Sequence, residues 1–323
     1  MNAMYRAIGI TKQAFHQKLE RDLLSEQQRD YLLQIIHQLR EDHPTMGCRD
    51  MYFKLQPECM GRDKFEAFCR EEGLMSKPYK NPVRTTNSLG VTRFENLTVD
   101  LKLTNIDQLW VSDITYFEVN RKFYYLTFIM DAFSRRILGH STSERLFTKT
   151  TTLPALRMAI KTRKSSDISS VIFHSDGGGQ YYAKEFLEIT RVHKIRNSMC
   201  EYTWENGKAE RINGVIKNNY LIHRIINNFV DLKKEVDRSV KLYNHEKPHI
   251  GLQRKSPIIY EKVYLCEREK SEAEQSTTEY KNYKSEGHYS PPVCREKSST
   301  SHITQEYKNS INQPEEWSTS IRH

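Results

Sequence analysis

Two periods divide this chain. Up to about residue 80 the apolar positions recur at helical spacing. Ala14, Phe15 and Leu19 share one face of the segment 7–20, and Leu32, Leu33, Ile36 and Leu39 form a stripe further on. Thr11 is placed to cap a helix after the turn at Gly9. Ser25 with Gln28 has capping-box spacing, which predicts a second helix starting there. HPTMGCRDMYFKL (43–55) and GRDKFEAFCREEGL (61–74) each join a glycine break to a short helix. Two small helix-turn-helix units within 1–80 fit this pattern, and a plain helical bundle fits it too. KPYKNPVRTTNSLGVTR, from Lys77, is basic and rich in turn formers, and predicts a linker over 81–104 lying along something anionic.

From about residue 105 the period shortens to that of strands. LWVSDITYFEV (109–119) and KFYYLTFIMDAFS (122–134) predict two strands joined by a tight turn at Asn120-Arg121, and RRILGHST (135–142) a third. TTTLPALRMAIKTR (150–163) predicts an amphipathic helix, SSVIFHSD (169–176) a strand, AKEFLEITRVHK (183–194) a helix and IRNSM (195–199) a fifth strand. Helices over 204–222 and 231–247 follow. A strand meander and then alternating helices and strands predict an α/β domain over 105–265, a mixed sheet covered on both faces. After Tyr264 the apolar pattern stops. Residues 266–323 are rich in Ser, Thr, Glu and Lys and are expected to be disordered.

Charge sharpens this picture. The net charge of the 323 residues is +9, with a pI of about 9.1. From Cys266 onward 8 Lys/Arg face 10 Asp/Glu, so residues 1–265 carry +11. A basic body of this kind favours a polyanionic partner, most simply nucleic acid. The six cysteines show neither CxxC pairing nor His/Cys zinc spacing, and read as free thiols of a reducing compartment. No apolar run approaches the length of a membrane span and no signal peptide is present, so a cytoplasmic protein with no membrane partner is expected. No GxxxxGK[ST] loop occurs, which disfavours a nucleotide hydrolase.

Three carboxylates stand out. Asp113 interrupts the apolar first strand, where a buried charge is expensive unless something cationic or hydrogen-bonding meets it. Asp176 ends the run Val171-Ile172-Phe173 and is followed by Gly177, Gly178 and Gly179. A carboxylate there is the ordinary turn former or helix cap; it is also where a metal ligand would sit with room for a phosphate backbone beside it. In the segment 204–222, Ala209, Ile212, Ile216 and Tyr220 form one apolar stripe, and Asn206, Glu210, Asn213 and Lys217 line a neighbouring face. That face fits a solvated helix surface as well as a site. Taken together, carboxylates from two strands and a helix suit a cage for hard cations, which prefer oxygen ligands.

The motifs carry a family resemblance. LWVSDITYF around Asp113, DAFSRRILG (131–139), HSDGGGQYY around Asp176, SMCEYTWENGKAERINGVIKNNY around Glu210 and YNHEKPHIGLQRKSP (243–257) occur in the order seen in retroviral-integrase-like DDE transposases. Residues 5–264 resemble the second-reading-frame protein of a large bacterial insertion-sequence family, and HPTMGCRDMYFKL matches its upstream helix-turn-helix region. The resemblance implies a ribonuclease H-like fold in which Asp113, Asp176 and Glu210 bind two Mg²⁺ (or Mn²⁺) ions. It further implies cleavage of double-stranded DNA at element ends and strand transfer into a target. Lys217 is implied to contact the end DNA, with Arg211, Asn206, Gly177, Gly178 and Gln180 as further DNA-binding positions. A homo-oligomer on DNA is implied, as is an upstream-frame helix-turn-helix protein, alone or fused by frameshifting. The Asp176-to-Glu210 spacing of 34 is slightly short for the family, and Gly177 stands where many relatives carry Arg. A non-catalytic DNA-binding regulator and a nuclease that cuts without joining remain open. Several residues are read as structural rather than functional: His174 as a satisfied histidine, Asp131 as a turn cap positioning Arg135 and Arg136, Trp110 and Trp204 as packing, and His245 and His249 as part of a docked helix end.

Overall fold

The computed structural model describes residue 5 and residues 9–76, 94–164, 167–200 and 203–285, with no side-chain description at 203, 204 or 275–285. Trp204 and most of the expected linker therefore lie outside the described residues. Helix α1 (Lys12–Asp42) begins at Thr11, whose Oγ1 accepts a hydrogen bond from Ala14 N at 3.1 Å. It runs unbroken for 31 residues, so no second helix starts at Ser25. The segment contains neither Gly nor Pro, and its Leu, Glu, Gln and Arg residues sustain a helix on propensity. Helices α2 (Cys48–Leu55) and α3 (Arg62–Glu71) follow Gly47 and Gly61. They close a small core on the second half of α1 around Ile36, Met51, Phe65 and Cys69.

Strands β1 (Leu109–Val119), β2 (Lys122–Asp131) and β3 (Ile137–Ser143) form an antiparallel meander. Asn120 and Arg121 both take positive φ at its first turn, as a two-residue hairpin with right-handed twist requires. β4 (Ile172–Ser175) and β5 (Arg196–Met199) then add in parallel to the other edge of β1, giving the order β3-β2-β1-β4-β5. Helix α4 (Thr152–Thr162) makes the crossover into β4, and α5 (Lys184–Val192) the one into β5. Alternation along β1 sends Leu109 and Val111 to one face and Trp110 to the other. The first face is covered by α6 (Gly207–Asn219) and α7 (Phe229–His245) through Ala209, Ile212, Ile216, Leu232 and Val236. The second is covered by α4 and α5 through Leu156, Ala159 and Phe186. This is the ribonuclease H-like mixed sheet with helices on both faces. Gly139 on β3 is a point of close approach. A Cβ there would collide with the carbonyl oxygen of Ala155 on α4 and lie 2.8 Å from Ala159 N.

The helical layer docks on the C-terminal part of the core. Lys54 Nζ and His43 Nε2 reach the Glu246 carboxylate at 3.0 and 3.3 Å, Arg254 pairs with Asp50 at 2.6 Å, and Arg238 with Asp42 at 2.7 Å. Residues up to Glu267 form one compact unit. At the start of β1 lies a buried ionic cluster. Arg163 meets Asp107 and Glu261, and Arg136 also reaches Glu261. Asp131 caps the turn after β2, accepting from Ser134 N, Phe133 N and Asp107 N. Trp110 is fully buried and donates to Asp107 Oδ1 at 2.9 Å.

The chain after Tyr264 departs from the expectation of disorder. Helix α8 (Pro257–Ser285) carries on through its first twenty residues. Residues 266–285 lack Gly and Pro and are dense in Glu, Lys and Gln, with Arg268 and Glu272 paired at i,i+4. Such a segment can stay helical without an apolar face. A second compact unit begins at Arg268, and its described part is helical.

Two outcomes test this fold. Gly139→Ala should destabilise the protein by about 1–3 kcal/mol, because the added methyl has only backbone to displace; denaturant unfolding reads it. Glu261→Gln should cost about 1.5–3 kcal/mol at neutral pH, since Arg163 keeps Asp107 but loses its second carboxylate partner. Burial alone would raise the Glu261 pKa, but hydrogen bonds and charge from Arg163, with Ser134 and Arg136, hold it below the ordinary value of 4.5. Its contribution is therefore complete above that value and fades as pH falls through the folded pKa. The stability gap between Glu261→Gln and wild type should narrow on acidification below about pH 4.5.

Candidate active site

The centre of the sheet brings Asp113 and Asp176 to one edge. Ser112 pairs with Ser175 across the parallel β1–β4 ladder, so Asp176 emerges beside Asp113 as β4 ends. Asp113 shares the face of Leu109 and Val111, the side on which α6 lies. Asn206 ties the start of α6 to β1 by donating to the Ser112 carbonyl at 2.9 Å. About two turns on from Asn206, Asn213 Nδ2 donates to Asp113 Oδ2 at 2.8 Å, with Glu210 exposed on the same flank. Lys217 follows, donating to Thr115 Oγ1 at 2.7 Å with its ammonium over the Tyr116 ring.

Electrostatics show what this edge lacks. Burial, then the charge of Asp176, and further on that of Glu210, push the Asp113 carboxyl up to about 7, against hydrogen bonds from Ile114 N and Asn213. Burial also raises Asp176, opposed by the Gly178 N–H at 3.2 Å. Beneath them Tyr181 and Cys200 are buried, and the two aspartates push both acids up, Cys200 to about 12, after burial itself. Lys217 is lowered by burial, with Asp113 opposing. No arginine or lysine forms an ion pair with Asp113, Asp176 or Glu210 among the described residues. Three oxygen-ligand groups that repel one another and lack an internal counter-ion suit a hard divalent cation. As the side chains stand, no three His, Cys, Asp or Glu among the described residues are drawn together closely enough to enclose a metal. Glu210, exposed in the first turn of α6, is the one with freedom to swing in.

The remaining expected positions divide. Gln180 donates to the Leu146 carbonyl at 3.3 Å, and its own carbonyl accepts from Thr148 and Thr152, which ties the glycine loop to α4. The loop is less open than its three glycines suggest. A Cβ at Gly177 would meet Met199 Cε at 2.7 Å, and one at Gly178 would meet Asp176 Oδ1 at 3.0 Å; Gly179 alone faces open space. Arg211 is not brought to this edge, since it lies on the other flank of α6 and lines a separate cavity. His174 is buried, its Nδ1 hydrogen-bonded to Ser198 at 3.0 Å, but its Nε2 is buried without a partner among the described residues, so it is not the fully satisfied histidine expected. Asn213, Tyr181 and Ser112 are the neighbours that single-residue reading passed over. For Asn213 the signal was present in the polar stripe it shares with Glu210.

A mixed five-stranded sheet in this order, with Asp113 inside β1 and Asp176 just past the end of the adjacent β4, is a ribonuclease H-like core. The integrase core domain family matches residues 104–202 and, through a second integrase core profile, 193–257. The insertion element IS600 31 kDa protein of Shigella sonnei is 26% identical over 81% of this chain and 98% of its own length. The InsK protein of insertion sequence element IS150 of Escherichia coli K12 is 25% identical over 80% of this chain and 93% of its own. Transposase InsF of insertion sequence IS3A, from the same organism, is 34% identical over 41% of this chain and 46% of its own. Among solved structures, the HTLV-2 integrase catalytic core domain in complex with magnesium aligns with 48% of this chain and 96% of its own, at 20% identity and a TM-score of 0.39. By these sequence matches the chain is similar to insertion-sequence transposases over an integrase core domain. No helix among the described residues is long and apolar enough to cross a membrane.

Burial of the site floor predicts a pattern of thiol reactivity. At neutral pH, alkylation of the native protein should label the exposed Cys59 and Cys266 quickly. Cys200 and Cys69, both buried and pushed up to about 12, should react only after unfolding. Peptide mass spectrometry distinguishes the two classes, and rapid labelling of native Cys200 would show that this floor is open.

Proposed function

We propose that this chain is a transposase that cleaves double-stranded DNA at the ends of an insertion element and joins the freed ends to new phosphodiesters. The observation that carries this reading is the coupling of Asp113 to Asp176 and Glu210, like charges held at one edge of the sheet without an internal counter-ion. Asp113 and Asp176 would flank two divalent ions, Mg²⁺ or Mn²⁺, and Glu210 would complete one ion's site. When bound, such ions supply Lewis-acid activation of the attacking oxygen and charge stabilisation of the leaving one in an in-line displacement. The protein's own residues do the positioning. Asn213 orients the Asp113 carboxylate, and Asn206 keeps α6 registered on β1, from which exposed Glu210 can swing toward the aspartates. Lys217 stands along the same flank as a phosphate contact for end DNA. Gly179 leaves a gap at the loop through which a backbone can approach. The helical layer over 1–80 adds sequence-independent phosphate contacts through its Lys and Arg residues, with oligomerisation on DNA and the upstream-frame protein completing the assembly in the cytoplasm.

Cleavage and strand transfer on labelled element-end DNA with Mg²⁺ test the reading. Asp113→Asn, Asp176→Asn and Glu210→Gln should each lower the rate by on the order of 10²–10³ or more, while DNA binding persists. If wild type binds but neither cuts nor joins with the upstream protein present, the chain is a regulator. If it cuts and never joins, it is a nuclease.

A further inference from the structure

Helix α6 has a second polar flank. At about 100° per residue, Lys208, Arg211, Val215 and Asn219 fall on one line, roughly half a turn from Glu210, Asn213 and Lys217. The buried stripe of Ala209, Ile212 and Ile216 lies between the two lines, against the sheet. On this second flank α6, the end of β2 and the loop after α7 enclose a cavity of about 420 Å³. Four cationic side chains line it, Arg135, Lys208, Arg211 and Lys247, together with His249; no Asp or Glu does. None of the four cations forms an ion pair among the described residues. So much unbalanced positive charge in one cavity is costly unless an anion enters.

The cavity is built, not incidental. The Asp131 cap turns the chain so that Arg135 takes φ 61°, a conformation non-glycine residues seldom adopt. Its guanidinium lies against Gly251, where any Cβ would strike it. His249 Nε2 is buried without a partner. Burial, then Lys247, Arg135 and Arg211, drive that imidazole down to about 3, so it is neutral at physiological pH and able to present an N–H. Lys208 and Arg211 stand exposed at the rim, with Arg135 and Lys247 further in. A charge gradient running from rim to floor suits an anion attached to something larger outside better than one wholly enclosed.

We infer that this cavity is a phosphate-binding site whose occupant is a backbone phosphodiester of DNA, held on the flank of α6 opposite Glu210. The DNA half of this inference rests on the reading of the chain as a transposase; the phosphate half rests on the cavity alone. One helix would thus meet DNA at both flanks, chemistry on one and anchorage on the other.

The test uses the full chain, an element-end DNA duplex titrated over a series of salt concentrations, and pyrophosphate as a free-phosphate probe. Lys247→Met keeps the apolar stem and removes the charge. It should weaken DNA binding several-fold and lower the slope of log K against log salt by about 1. The rim pair Lys208→Gln with Arg211→Gln should lower it by about 2, and it serves even if Lys247→Met fails to fold. Lys247→Arg should restore the wild-type slope, and Lys161→Gln, on α4, should not change it. Pyrophosphate should raise the wild-type melting temperature and protect both charge-removing variants less. Unchanged DNA slopes with lost pyrophosphate protection would overturn the DNA occupant in favour of a free phosphate. Unchanged slopes and unchanged protection would overturn the site. If wild type binds no DNA at all, the transposase reading and the DNA half fail together, and the pyrophosphate arm still decides the cavity.

Discussion

The seating of α6 on the sheet is the constraint on which the rest depends. Ala209, Ile212 and Ile216 are nearly inaccessible, and together they press the helix onto the face formed by Val111 and Phe128. A helix anchored along one stripe has no rotational freedom left. Its two polar flanks are then committed, Glu210, Asn213 and Lys217 to the place where β4 ends beside the middle of β1, Lys208 and Arg211 to the cavity behind. Asn206 completes the registration by bonding the Ser112 carbonyl next to Asp113. A slip of one residue would turn Glu210 by about 100°, away from the aspartates.

Two groups of carboxylates lie along the same strand and do opposite things. At the start of β1, Asp107 and Glu261 are buried with Arg163, while Asp131 is satisfied by backbone N–H groups. Desolvation there is offset inside the protein, and the cluster pins α8 and the end of α4 to the sheet. A few residues on, Asp113 is desolvated beside Asp176 and Glu210 with one amide for company. Among the described residues the Ile114 N–H and the Asn213 amide oppose that repulsion, and no Lys or Arg forms an ion pair with Asp113. Carboxylates held with arginine serve the fold; carboxylates held beside one another keep their mutual repulsion and have their pKa raised by it.

The strand meander was plain in the sequence because alternation and the Asn120-Arg121 turn are local signals. β1 runs from Leu109 to Val119 as the pattern predicts, and the crossover helices fall where their apolar stripes put them. Local signals also misled. Ser25 and Gln28 have cap spacing, yet a cap forms only where the chain leaves the helix, and nothing in α1 breaks it. The segment after Tyr264 loses its apolar pattern without losing helix propensity, so its first twenty residues stay helical.

Of the site, residue types and order were legible: an aspartate inside a strand, another at a strand end, a glutamate on a helix with a polar stripe. What the sequence by itself determined is therefore the inventory and the periodicities, since these follow from side-chain chemistry and backbone geometry within a few residues. The tertiary structure alone decided which groups share a field. Asn213 became the amide that bonds Asp113, Arg211 fell on the far flank, and a Cβ at Gly177 or Gly178 would meet Met199 or Asp176, leaving Gly179 open. Each of those outcomes depends on contacts between segments tens of residues apart, and no local period encodes them.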